Sequence, residues 1–189
     1  LRVRYCARFI PCCRNCDDEI VGDGFSLPML RQRGDGYSLA DFIPSDRMGF
    51  RSQFGLFGVC VDGIPDTPDN LVLHSVKVAL AETVSGWMRE EFASLVPDGY
   101  KVIMPAVGYA CCPDHSLKRD VLTNLPDIGI SLTESCSMMP EASICGFVIA
   151  HRNAAYRDIR NVSREQAAAY SAKRGFTYEE EKLFIGHLV

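Results

Sequence analysis

From Val72 onward apolar side chains return at three- and four-residue intervals, at Val72, Val76, Leu80, Val84, Trp87 and Met88. That spacing puts them on one face of a helix turned toward a core. Thr67-Pro68-Asp69 supplies the start signal: a hydroxyl for the N-cap, proline at the first helical position, and an acid at the positive end of the dipole. The helix is predicted to run to about Ala93. A second helical pattern spans Pro113 to Asn124, with Leu117, Val121 and Leu122 facing inward. Toward the C-terminus, Ser163-x-x-Gln166 and Thr177-x-x-Glu180 are successive capping-box patterns. They predict helices over Arg164 to Lys173 and Tyr178 to Leu188, with Gly175 ending the first.

Elsewhere the pattern shortens. Residues 1 to 33 alternate loosely around a turn signal at Gly22-Asp23-Gly24, which predicts strands near Val3 to Ile10 and Phe25 to Arg31. YSLADFIPSD reads as a strand end and turn, and FRSQFGLFGVCVDG as a buried strand or a short helix. GISLTESCSM and SICGFVIAH, joined through Met139-Pro140-Glu141-Ala142, predict an antiparallel hairpin. Strands and helices in this order, without βαβ alternation, point to an α+β fold with a central antiparallel sheet flanked by helices. The expectation is a single domain over residues 1–189.

Composition narrows the function. With 47% hydrophobic residues in 189, the chain can bury a real core. Its net charge of -4 lacks the basic field that a nucleic-acid backbone requires, so nucleic acid is excluded as an expected partner. No run reaches the roughly 18 apolar residues of a membrane span, and LRVRYCARFIPCC is too short and too interrupted for a secretory signal. Nine cysteines, an odd number at irregular spacing, suit reduced thiols. A cytoplasmic protein without a membrane partner is expected.

The densest chemistry is GYACCPDH, Gly108 to His115. Three readings compete. Cys13-x-x-Cys16 has the spacing of half a zinc site, which Cys111, Cys112 and His115 would have to complete from afar. Cys112 and His115 could form a nucleophile pair, since a thiolate needs a nearby base or cation. In the third reading the segment is a ligand loop: Gly108 lets the backbone approach closely, Tyr109 offers a flat ring with a hydroxyl, and Pro113-Asp114 opens a helix whose amides face a polar group. The neutral alternative leaves Cys112 packed in a core and His115 on the surface.

MPAVGYACCPDH, LTESCSMMPEASICGFVIAH, Tyr156 and SREQAAAYSAKRG together resemble the C-terminal activation domain of cobalamin-dependent methionine synthase. The family's stretches read approximately R-P-A-P-G-Y-P-x-C-P-D/E-H, L-T-E-S-x-x-M-x-P-x-A-S-V-x-G and Q-x-x-x-Y-A-x-R-K/R-G. Upstream, YSLADFI, FGLFGVCVDG and ALAE resemble further family segments, so the likeness runs from about residue 25 to the end. It implies an accessory component that binds S-adenosylmethionine. That component caps the cobalamin domain and supports reductive remethylation of cob(II)alamin with an electron from a flavodoxin-type donor.

On this resemblance Ala106, Gly108, Tyr109 and Tyr156 line the S-adenosylmethionine site. Tyr109, Cys111, His115 and Glu82 face the cobalamin held by the partner domain. No metal ligand and no catalytic side chain is implied. Three departures bear on the ligand. Met104 stands where the family has an arginine, Glu82 replaces its aspartate, and Gly86 stands where it has a second acid. The family's N-terminal helical part, with its D-W-x-P-F-F signature, has no counterpart in this sequence, which suggests a shortened, free-standing form. The alternative implied is an interaction module that docks on a corrinoid protein without binding S-adenosylmethionine.

Overall fold

The computed structural model describes residues 1–16, 18–22, 24–45, 52–63 and 71–189. The long strand β1 (Arg2–Arg14) is followed by the short strands β2 (Glu19–Gly22) and β3 (Phe25–Pro28), and then by β4 (Ser52–Asp62). Helix α1 (Leu71–Ser94), strand β5 (Lys101–Ile103) and helix α2 (Leu117–Thr123) come next. The small strands β6 (Ser131–Leu132) and β7 (Met138–Met139) precede β8 (Ser143–His151) and the helices α3 (Arg164–Arg174) and α4 (Tyr178–Phe184). Six strands form one antiparallel sheet in the order β3-β2-β1-β4-β8-β5.

This is the α+β architecture that the pattern predicts, and the reason lies in β4 and β8. Both are nearly continuous apolar runs, buried on both faces. Phe54 and Leu56 of β4, with Cys145, Phe147 and Ile149 of β8, point into the cluster that α2, α3 and α4 cover. Phe57, Val59 and Val61, with Ile144 and Val148, point into the cluster under α1. The period of two thus feeds two cores, one on each side of the sheet.

Several expectations are corrected. The N-terminal segment holds three strands, because Glu19–Gly22 pairs with both β1 and β3, and β3 stops at Pro28 rather than Arg31. Ser38 and Asp41 form a capping box around a 3-10 turn at Leu39–Phe42, so of the strand end and turn expected there the turn is present and, among the described residues, the strand end is not. The hairpin also fails. SLTESCSM folds into its own β6–β7 pair, while β8 pairs with β4 and β5. The polar residues of 131–137 offer no apolar face to pair with β8.

Of the α1 stripe, Met88 is buried and Leu80 and Val84 are half-buried, whereas Val72, Val76 and Trp87 are exposed. Lys77 and Ala81 take up the buried line instead. Ala81 is small enough to bring the helix close to the sheet, and periodicity does not say how far along a helix its face meets a partner. The expected start at Thr67-Pro68-Asp69 lies outside the described residues. The second helix begins at Leu117 rather than Pro113, because Asp114 accepts hydrogen bonds from Ser116 and holds the preceding residues in a turn. The capping signals locate α3 and α4 correctly, although only Thr177 and Glu180 close a full box; at α3 the Ser163 hydroxyl accepts from Gln166 N–H without the return contact, and Gly175 is left-handed at φ 65. The last helix ends at Phe184, and Gly186–Leu188 form a 3-10 turn.

One crossing positions the segment of interest. Residues 104–107 run beside β8: Phe147 N–H donates to Pro105 O at 3.0 Å and Val107 N–H to Cys145 O at 2.9 Å. The approach is possible because Gly146 has no side chain. A Cβ there would lie 2.2 Å from Pro105 O and 2.8 Å from Ala106 Cα, both backbone atoms that cannot swing aside. Gly146→Ala is expected to destabilise the fold by about 1 to 3 kcal/mol and to shift the amide resonances of residues 104–109, measured by thermal melting and by NMR.

Candidate ligand site on the 104–109 strip

The strip from Met104 to Tyr109 is anchored at both ends by tyrosine hydroxyls. At its start, Met104 N–H donates to Tyr156 Oη at 2.7 Å. At its end, Tyr109 Oη donates to Glu82 Oε1 of α1 at 2.5 Å. Both rings are about half exposed, at 52% each. The loop carrying Tyr156 is itself fixed, because Tyr37 Oη donates to Ala155 O at 3.2 Å and the Arg157 guanidinium lies over the Tyr37 ring at 5.6 Å.

Beyond Tyr109 the chain folds back. Gly108 N–H donates to Cys112 O and Cys112 N–H to Tyr109 O, each at 2.8 Å. Gly108 is required twice over. Its φ is +98, and a Cβ would sit 2.8 Å from Cε1 of His115, so the imidazole lies against its bare α-carbon. His115 Nδ1 lies 2.9 Å from Lys118 Nζ.

Asp114 secures the base of this loop. It is fully buried and accepts from Ser116 N–H at 2.7 Å, Ser116 Oγ–H at 2.9 Å and Tyr170 Oη–H at 2.6 Å. Arg174 of α3 lies beside it, with Nε 3.9 Å away, while its NH groups reach Asp120 at 2.8 Å and Ser116 Oγ at 2.9 Å. The Tyr170 phenol is pushed well above its ordinary range, first by burial and then by the Asp114 charge, so it serves as a permanent donor.

The structure brings together Glu82, Ala106, Gly108, Tyr109 and Tyr156 along one strip, with His115 adjoining Gly108. It does not bring Cys111 with them. Cys111 is 7% exposed and lines a small gap with Met29, Leu30, Leu39 and Ile159, so its expected place facing a large planar ligand is corrected. Met104, where the resemblance implies arginine, packs among Phe57, Val59 and Val102 in the core under α1. Gly86 lies one turn beyond Glu82 with open space around it.

The nucleophile reading loses its basis. Burial raises the Cys112 thiol well above its ordinary value, which removes the thiolate that a nucleophile needs, and the Nδ1 of His115 is engaged by Lys118. Among the described residues no group of three His, Cys, Asp or Glu side chains could hold a metal ion. Lys118 and Tyr170 were not singled out by sequence reasoning, although Tyr170 lies in SREQAAAYSAKRG at core spacing from Ala167 and Arg174, and Asp114 was read as a helix opener rather than a buried acceptor.

The Tyr109 phenol is raised from 10.0 to about 12, chiefly because ionisation would forfeit its hydrogen bond to Glu82, and also by partial burial and the carboxylate's charge. Its pKa is raised, so the proton stays on throughout the neutral range and the contact weakens only as pH climbs past 10. Glu82→Gln is expected to bring this titration back toward 10, read by ultraviolet difference titration against Tyr109→Phe. Asp114→Ala leaves Tyr170, Ser116 and Arg174 without their shared acceptor. It is expected to cost about 3 to 5 kcal/mol, a fall in Tm of roughly 10 °C for a chain of this size, with Asp114→Asn milder.

A crystal structure of the MetH reactivation domain bound to AdoHcy matches with a TM-score of 0.80 at 21% identity, over 99% of this chain and 70% of that one. The likeness establishes the shared fold. A family model described as the activation domain of vitamin B12 dependent methionine synthase matches residues 2–175. The chain therefore belongs to the family of vitamin B12-dependent methionine synthase activation domains.

Proposed function

We propose that this chain holds S-adenosylmethionine on the 104–109 strip and presents its methyl group to cobalamin carried by a methionine synthase cobalamin domain. The observation that carries the reading is the pair of half-exposed tyrosines, Tyr156 and Tyr109, fixed through their hydroxyls at the two ends of an anchored backbone segment. Fixed, accessible aromatic rings bind flat or cationic ligands at little entropic cost. S-adenosylmethionine has both an adenine ring and a sulfonium, and the Glu82 carboxylate beside Tyr109 favours positive charge.

The residues divide the work. Ala106 and Gly108 offer backbone that a ligand can approach closely. Tyr156 and Tyr109 give ring faces, and Glu82 keeps Tyr109 in place and protonated. Tyr109, Glu82 and His115 lie toward the partner's corrin on this reading. A corrin held by that partner would supply the methyl-accepting cobalt once reduced by one electron from a flavodoxin-type donor, with S-adenosylhomocysteine as the leaving product. Nothing in this chain needs to act as acid, base or nucleophile. The arginine pairing that the resemblance implies for the ligand's carboxylate is not available from the buried Met104.

No helix among the described residues is long and apolar enough to cross a membrane. On this reading the whole 1–189 segment acts as one unit, on a partner in the cytoplasm.

Calorimetric titration tests the ligand assignment. S-adenosylmethionine is expected to bind more tightly than S-adenosylhomocysteine, which lacks the sulfonium charge, and Glu82→Gln to narrow the difference. Tyr109→Ala is expected to weaken binding about 3- to 30-fold, the range for a lost aromatic contact with a cation, with little change in Tm. No binding of either ligand, or a Tyr109→Ala protein with native affinity, overturns the assignment.

A further inference from the structure

We propose that Lys118 is the positioning residue of the site: its ammonium locks His115 as the neutral tautomer with hydrogen on Nε2, and so presents an N–H donor beside Tyr109. The inference rests on the reading above only in taking the cleft at Gly108, Tyr109 and His115 as the ligand-facing side.

The geometry leaves few choices. Lys118 is 5% exposed, which is unusual for a lysine, and its Nζ donates to Cys136 O at 3.1 Å. An ammonium has donors and no acceptor. The 2.9 Å contact with His115 Nδ1 therefore makes that nitrogen the acceptor, and in a neutral ring the proton must sit on Nε2. The ring is trapped flat against Gly108 on its other side. It borders a cleft of 350 Å³ lined by Gly108, Tyr109, Pro113, Ile159 and His187 among others.

Every charged or titratable group around the ring bears on its proton. Lys118 and His187 oppose protonation and Asp114 favours it. Arg160, which also lines the cleft, is paired with Asp158, and the Tyr109 phenol stays neutral. Partial burial first, and the Lys118 charge second, hold the imidazole below its ordinary 6.5. The neutral arrangement is thus fully present above pH 6.5. As pH falls below that value, a second cation would face Lys118, the contact would break, and the ring would leave Gly108.

A donor fixed in this way suits a neutral acceptor, such as the carbonyl oxygen of a carboxamide. It does not suit an anion, which would call for the imidazolium. Lys118 touches no ligand; it acts through His115.

Long-range proton–nitrogen NMR on histidine-labelled protein, with no ligand present, reads the device directly, and His115→Gln assigns the signal. The expected result is a bare Nδ1 and a protonated Nε2 in the native protein at neutral pH, with a titration below 6.5. In Lys118→Met the ring is expected to become a tautomer mixture with its titration moved upward, and Lys118→Arg to restore the single form. A native His115 with hydrogen on Nδ1, or a native mixture, overturns the proposal even if Lys118→Met does not fold. So does an unchanged tautomer and titration in a folded Lys118→Met. Because no S-adenosylmethionine is used, failure here leaves the ligand assignment standing, and failure of that assignment leaves this result intact.

Discussion

The buried carboxylate of Asp114 joins two pieces of chain that are remote in sequence, its own loop and α3. It stops the turn after Cys112-Pro113 by accepting from Ser116, and it takes the Tyr170 hydroxyl of α3 at 2.6 Å. Arg174 then ties the same α3 to Asp120 in α2. A charge in an apolar interior is tolerable only when it is surrounded by donors, and these donors come from elements that must be in place to supply them. The loop that carries Tyr109 and His115 therefore inherits its position from the packing of α3 on the sheet.

The other end of the strip depends on the opposite kind of constraint, the absence of atoms. Gly146 and Gly108 each make room for a close neighbour, the first for the backbone of Pro105 and Ala106, the second for the His115 ring. Between these fixed points the two tyrosines stand half in solvent with only their hydroxyls committed. Rigid backbone, free ring faces and one carboxylate make a surface suited to a flat or cationic ligand. Such a surface fits a component that presents a reagent to chemistry performed on another domain.

How much of this was legible in the sequence depended on the range of each interaction. The N-cap hydroxyls of Ser163 and Thr177 accept from amides three residues on, and both helices begin where those residues place them. The pairing of β8 with β4 and β5 spans more than forty residues, and composition alone led to the wrong partner for it. β2 is four residues long and is held by its neighbours, so its own pattern says little. Within the candidate site, family motifs pointed to the strip and its tyrosines, and their hydroxyl contacts with Met104 N–H and Glu82 were not legible from them. Cys111 was placed outward because a motif does not say which way a side chain turns, and the core took it. Lys118 lay hidden for the reverse reason: a lysine after Asp-His-Ser-Leu reads as solvated surface, and only the fold shows it under His115 and Cys136 O.

The account stands most directly on methyl transfer itself. S-adenosylmethionine carrying an isotopically labelled methyl group would be incubated with a cobalamin-loaded synthase domain, a flavodoxin-type reductant, and this chain either present or absent. The account predicts label on the corrin only when chain and reductant are both present, with the oxidised cofactor's visible spectrum converting in step, and strongly reduced transfer with the Tyr109→Ala protein. Transfer of equal rate without the chain, or none with it while a synthase's own activation domain succeeds under the same conditions, would contradict it.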